Sequence, residues 1–144
     1  MTSASLHRTH RIVVGVDGSA HAQRALEWAV EEARLRALPV CLVHGWFAAS
    51  VGSDPTGMAY GALEDAGRSL LDDARSKAAH EAPDVAIDAV LVAESPVTAL
   101  LTEADDADLL VVGARGHGGF AGLVLGSVTD QVVRHATCPV VVVR

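Results

Sequence analysis

The stretch Asp108–Thr129, D-L-L-V-V-G-A-R-G-H-G-G-F-A-G-L-V-L-G-S-V-T, decides how the rest of the chain is read. It opens on four apolar residues, Leu109–Val112, the pattern of a strand buried on both faces. Gly113 ends that run, and a glycine-rich turn follows with Arg115, Gly116 and His117. After nine more residues the chain reaches Gly126-Ser127, and Val128, Val132 and Ala136 then recur every fourth residue. That spacing marks one face of a helix. Ser127 with Asp130 three residues on resembles a capping box, so the helix is expected to start at Ser127.

A helix N-terminus presents backbone N–H groups that have no partner inside the helix, together with the positive end of the helix dipole. Set against a turn without β-carbons, at the carboxyl end of a buried strand, it makes a pocket suited to phosphate. Each exposed dipole–anion contact contributes only about 0.3–1 kcal/mol. A polyphosphate therefore needs several donors at once, and this loop can supply them. The same glycines would also suit an ordinary turn between strand and helix.

Working outward, the remaining chain repeats the strand–helix alternation. Arg11–Asp17 reads as a first strand with Ile12, Val13, Val14 and Val16 in a near-continuous apolar run. Asp17-Gly18-Ser19 turns the chain, and Ser19 suits an N-cap. Ala22, Leu26, Ala29, Val30 and Ala33 then form one helix face, leaving Glu31, Glu32, Arg34 and Arg36 to solvent. Pro39–Trp46 is a second strand, and residues 47–61, with three glycines and a proline, form the longest expected loop. Ala62–Glu81 reads as a helix with Leu63, Leu70, Leu71, Ala74 and Ala78 on one side. Val85–Val92 is a third strand, which Asp88 assigns to an edge. Ser95-Pro96 places an N-cap ahead of a proline at the first helical position, and Val97, Leu100, Leu101 and Ala104 follow at helical steps. Pro139–Val143 is the last strand. The sum is β-α-β-α-β-α-β-α-β, which short links and right-handed crossovers turn into a parallel sheet covered on both faces.

Composition narrows the function. A chain of 144 residues, half of them apolar, fits one domain, residues 11–144, behind a flexible tail at 1–10. The formal charge of −7 argues against nucleic acid as a partner. No apolar run approaches the ~20 residues needed to cross a bilayer, and residues 1–10 lack a signal peptide's apolar segment. Cys41 and Cys138 fall in or beside apolar strands, where they read as small buried side chains rather than a disulfide or metal pair. A cytoplasmic protein is expected. The last strand, Val140–Val143, carries no charge, and no helix follows to cover its outer edge. Pairing with the same strand of a second copy would remove that association hazard and give a two-fold homodimer.

The spacing Gly113-x-x-Gly116, nine residues, Gly126-Ser127 resembles the nucleotide-binding signature of the ATP-binding branch of the universal stress protein family. The likeness extends from Val13-Val14-Gly15-Val16-Asp17 to Cys138-Pro139-Val140-Val141-Val142-Val143, and so covers residues 11 to 144. It implies a three-layer α/β sandwich of the nucleotide-binding α-hydrolase-like kind, a five-stranded parallel sheet of order 3-2-1-4-5, and the dimer just described. In doubly wound sheets ligands collect where neighbouring crossovers go to opposite faces. With that order, the crevice lies between strands one and four.

The resemblance also assigns roles. Gly15, Val16 and Asp17 match the segment that lines adenine and ribose. His44-Gly45 matches the second-strand end whose main chain faces the adenine edge. At Gly45 many members of the family carry a larger apolar residue, and His44 reads as a strand histidine with its ring hydrogen-bonded. Val112, Gly113, Arg115 and Gly116 match the ribose and phosphate turn, with Arg115 and His117 as cationic neighbours. Gly126, Ser127, Val128 and Thr129 match the phosphate clamp, the two hydroxyls and the helix N–H groups acting as donors. Asp17 suits a ribose hydroxyl or a Mg²⁺ ion bridging phosphate oxygens, and equally a turn aspartate before Gly18.

Other phosphate-binding plans fail on residues. There is no glycine–lysine pair for a Walker loop. Gly116–Ala121 fits G-x-G-x-x-[GA], but it neither follows the first strand nor opens a helix directly. No acidic pair for a phosphoacceptor site, no nucleophile elbow and no zinc spacing is present. Two readings remain. One is an ATP-binding, dimeric stress-response regulator that is at most a slow ATPase. The other is a dimeric interaction module with a vestigial pocket, or one taking AMP or cyclic AMP.

Overall fold

A computed structural model describes residues 10–48, 52–116 and 125–144. Nine elements alternate in the order β1 (Ile12–Gly15), α1 (Ala20–Arg36), β2 (Val40–Gly45), α2 (Met58–Glu81), β3 (Ile87–Val92), α3 (Pro96–Glu103), β4 (Leu109–Gly113), α4 (Ser127–His135) and β5 (Val140–Val143). All five strands are parallel, in the order β3-β2-β1-β4-β5. Strand positions agree with the periodicity: β1, β2, β3 and β5 are shorter than the expected segments by one to three residues, and β4 runs one residue further, to Gly113.

The sheet separates two cores. Ile12, Val14, Val16, Leu42 and Val111 pack on one face against α1 and α2. Val13, Cys41, Val43, Leu110 and Val112 pack on the other against α3 and α4. This two-sided burial is why the central strands read as unbroken apolar runs. Leu42 and Leu110 are fully buried, each contributing about 1.5–3 kcal/mol through burial. Burial pushes the Cys41 thiol up, so it packs as a protonated, small apolar side chain. Neither cysteine forms a disulfide, and Cys138 is half-buried rather than buried. Asp88 sits exposed on β3, an edge strand as expected. At the opposite edge every residue of β5 is half-buried.

The starts of α1 and α3 follow from their caps, and that of α2 departs from expectation. Ser19 Oγ accepts from Ala22 N–H at 3.2 Å, and Ser95 Oγ accepts from Thr98 N–H at 3.3 Å ahead of Pro96. Helix α2 begins at Met58, four residues before the alanine-rich run, and shortens the loop. Asp54 takes the Thr56 and Ala59 N–H groups, and Thr56 Oγ1 takes that of Met58. These side chains satisfy the first-turn donors that would otherwise be open, a set too far from the apolar run to register in its period. Leu63, assigned to the inner side of α2, is 39% exposed.

Candidate functional site

Helices α1 and α2 cover one face and α3 and α4 the other, so the crossovers leaving β1 and β4 diverge. A cavity of about 350 Å³ opens between those two strand ends. Of the residues singled out from sequence, Gly15, Val16, Asp17, His44, Gly45, Val112, Gly113, Arg115, Gly116, Gly126, Ser127, Val128 and Thr129 line it. His117 lies outside the described residues. Ala22, Val43, Pro96 and Leu100 complete the wall. Sequence reasoning missed these four because it assigned them only to helices and a strand. Their signal was positional: Pro96 opens α3 at the carboxyl end of the sheet, and Leu100 follows one turn later.

The glycines here are demanded by neighbours. A β-carbon on Gly113 would stand 2.6 Å from the carbonyl carbon of His21, so α1 begins directly against the end of β4. One on Gly45 would stand 2.8 Å from Ser95 O and 2.9 Å from Glu94 O. The approach of α3 thus accounts for glycine at this position. One on Gly116 would meet Asp17 Oδ2 at 2.3 Å. The carboxylate therefore lies against the bare backbone of the turn, with its other oxygen accepting from Ser19 N–H at 2.8 Å.

Helix α4 starts at Ser127, as the spacing indicates, but its cap differs from the expected box. The N-cap is Gly126, with no side-chain cap bond. Gly126 N–H donates to Ala114 O at 2.8 Å, which folds the glycine back on the turn and moves Ser127 into the first helical position. The first rung inside the helix is Asp130 N–H to Gly126 O at 2.9 Å. The N–H groups of Ser127, Val128 and Thr129 consequently have no acceptor within the helix. Thr129 does not offer its hydroxyl as a donor to the clamp. Its buried hydroxyl donates to Gly113 O at 2.7 Å, so its proton is already committed and only its N–H is left to offer a ligand. The Ser127 hydroxyl is exposed at the mouth.

The His44 ring is hydrogen-bonded as expected, its Nδ1 lying 2.7 Å from Val16 O. Asp17 is the only carboxylate among the described lining residues. Among the described residues no group of three or more His, Cys, Asp or Glu side chains could hold a metal ion. The chemistry on offer is an apolar slot floored by Val43, Leu100 and Val112, opening onto a glycine turn, a row of amide donors and one carboxylate.

This is a doubly wound α/β protein whose cavity sits at the topological switch point. The sequence profile of the universal stress protein family matches residues 8–144, and the chain belongs to that family. It is 37% identical over 134 residues to a universal stress protein of Mycolicibacterium smegmatis, covering 92% of this chain and 45% of that protein. The chain spans about half the length of the curated relatives it matches. Among solved structures it resembles a universal stress protein in complex with cAMP, at TM-score 0.70 and 30% identity, covering 95% of this chain and 98% of that one. The universal stress protein of Archaeoglobus fulgidus in complex with dAMP is similar too, at TM-score 0.69 and 27% identity, covering 95% and 99%. Among the described residues no helix is long and apolar enough to cross a membrane.

Proposed function

We propose that residues 11–144 form one adenine-nucleotide-binding module that holds ATP in the β1–β4 cavity and turns it over slowly or not at all. The observation carrying this reading is the convergence of three elements on one hollow: the β1 end with Asp17, the Arg115-Gly116 turn, and the amide row at the start of α4. Its volume of about 350 Å³ lies in the range of ligand pockets. The slot between Val43, Leu100 and Val112 would take the base, and the α4 amides the phosphates.

Mg²⁺ fits this site only as a companion of the nucleotide. Asp17 is a single carboxylate, and Mg²⁺ at nucleotide sites is held by one or two carboxylates plus phosphate oxygens and water. When bound, the ion would neutralise phosphate charge. Asp17 Oδ2, lying beside Gly116, is the oxygen that would face it.

The second reading, AMP or cyclic AMP as the resident ligand, is favoured by the similar structures that hold cAMP and dAMP. Mass spectrometry of small molecules released from denatured, freshly purified protein separates the two, followed by titration with ATP, AMP and cyclic AMP. ATP near one per chain supports the first reading, and AMP or cyclic AMP supports the second. An empty protein that rebinds none of them overturns both nucleotide readings and leaves a dimeric interaction module with a vestigial pocket.

The half-buried, uncharged β5 edge supports a homodimer through Val140, Val141, Val142 and Val143. Val142→Lys is expected to give monomers in sedimentation, and an unchanged mass would remove that interface. Gly126→Val is expected to abolish ATP binding and leave the dimer intact. Its β-carbon would already lie 3.2 Å from Arg115 Cα, so any larger side chain must displace the turn. We infer no nucleic-acid partner, on the formal charge of −7, and carry a cytoplasmic location without a membrane partner as part of the same reading.

A further inference from the structure

The β1–β2 ladder ends in an irregular way. Gly15 stands opposite Val43, and Val16 N–H donates to Val43 O at 2.9 Å. In a regular parallel ladder the next rung would run from Gly45 N–H to Val16 O. That rung is not made: Val16 O accepts from His44 Nδ1 at 2.7 Å instead. Because a carbonyl can only accept, Nδ1 carries the proton in the neutral and the cationic ring alike. Trp46 N–H bonds Val92 O on the β3 side at 3.1 Å. Successive strand amides alternate in direction, so Gly45 N–H points the other way, toward β1 and the cavity that Gly45 lines. The ring has room because Gly67 of α2 lies behind it. A β-carbon there would stand 2.9 Å from His44 Cδ2 and 3.2 Å from Nε2.

We propose that His44, seated against Gly67, is a positioning residue: its ring takes the Val16 carbonyl out of the β1–β2 ladder and keeps Gly45 N–H available as a donor to the base edge of a nucleotide. This rests on the nucleotide reading above and adds a requirement on the base, an unprotonated ring nitrogen such as N1 of adenine. Gly67, on the far side of the sheet from α3 and α4, thereby shapes recognition without touching the ligand.

The first test needs no ligand. Hydrogen exchange at the Gly45 amide is expected to be fast in the wild-type protein and slowed at least tenfold in His44→Leu, where the regular rung can close. In His44→Asn, whose side-chain amide occupies the place of Nδ1, it should be fast again. The second test titrates AMP and 1-deaza-AMP, which lacks N1. Wild-type protein should prefer AMP by about five- to tenfold, the worth of one neutral hydrogen bond. His44→Leu and Gly67→Ala should lose the preference, and His44→Asn should restore it. Rapid Gly45 exchange in His44→Leu, or an AMP preference that survives there, overturns the assignment. Nucleotide binding without any difference between the two analogues overturns it and leaves the proposed function standing. A wild-type protein that binds no nucleotide removes the function, and its role for His44 with it.

Discussion

Placing a methyl group on Gly116 tests how tightly the first strand and the phosphate turn are joined. Gly18 and Gly57 are the described glycines with positive φ, so Gly116 needs space rather than an unusual backbone. Its added β-carbon would sit 2.3 Å from Asp17 Oδ2, far inside the roughly 3.5 Å of ordinary contact. A carboxylate can swing aside, but Asp17 Oδ1 holds Ser19 N–H at 2.8 Å and would have to release it. Hydrogen bonds to charged groups contribute about 1.5–3 kcal/mol, and the partial exposure of Asp17 puts this one near 1.5. Gly116→Ala should therefore lower stability by about 1.5 kcal/mol in urea titration, and Tm by about 3–6 °C. Asp17→Ala loses the same bond directly and should cost about as much. Once the carboxylate is gone the methyl group has nothing to displace, so the double variant should be no less stable than Asp17→Ala alone. Gly116→Ala melting with the wild-type protein would refute this contact. So would a double variant whose loss equals the sum of the two singles, because independent sites add and touching ones do not.

Thr129→Val should cost about 1–2 kcal/mol by stranding the buried Gly113 carbonyl, whereas Ser127→Ala at the exposed mouth should leave the melting curve unchanged and weaken nucleotide binding. Paired melts and titrations of these two variants check the division. Gly45→Ala should lose about 1–3 kcal/mol, because its β-carbon meets two backbone carbonyls that open α3; a melt within 1 °C of wild type would contradict it. Backbone donation from Ala59 and Thr56 holds the Asp54 carboxyl below its usual 3.8. A depressed folded value gives stability that is present above the unfolded value and lost as pH falls through the folded one. The first turn of α2 should thus stay closed at neutral pH and loosen below about pH 4, read as faster exchange of the Ala59 amide. Asp54→Asn should remove most of that pH dependence.

Much of this architecture was legible because burial on both faces leaves an unmistakable mark. Ile12–Val14, Val40–Val43 and Leu109–Val112 are apolar without interruption, and in short α/β repeats few sheets accommodate such strands. Asp88 marked an edge for the converse reason, a charge tolerated only where solvent reaches. What escaped was set by contacts between distant residues. Period could not reveal that Asp54 and Thr56 would start α2 early, since they act through side-chain oxygens outside the helix. Nor could the Ser127–Asp130 spacing show that Gly126, drawn onto Ala114 O, would take the cap position. Leu100 and Pro96 read as helix residues, and only the approach of α3 to Gly45 brings them to the cavity wall.

The spacing of Gly113, Gly116 and Gly126, and the glycine at 45 beside it, is mainly a record of proximity. Gly45 admits the start of α3, Gly113 admits His21 at the start of α1, Gly116 admits the Asp17 carboxylate, and Gly126 lies against Arg115. Each pair joins segments distant in sequence, and each meets at the carboxyl end of the sheet. Every one of these residues is thus a spacer whose enlargement would first move a neighbouring element and only then reach a ligand. A donor such as the Ser127 hydroxyl has no such second role. The two classes should separate experimentally: spacers should change stability and affinity together, while exposed donors change affinity alone. A spacer substitution at Gly113 that weakened nucleotide binding with an unaltered melting temperature would mean that its contact with His21 is dispensable, and that this account of the signature is wrong.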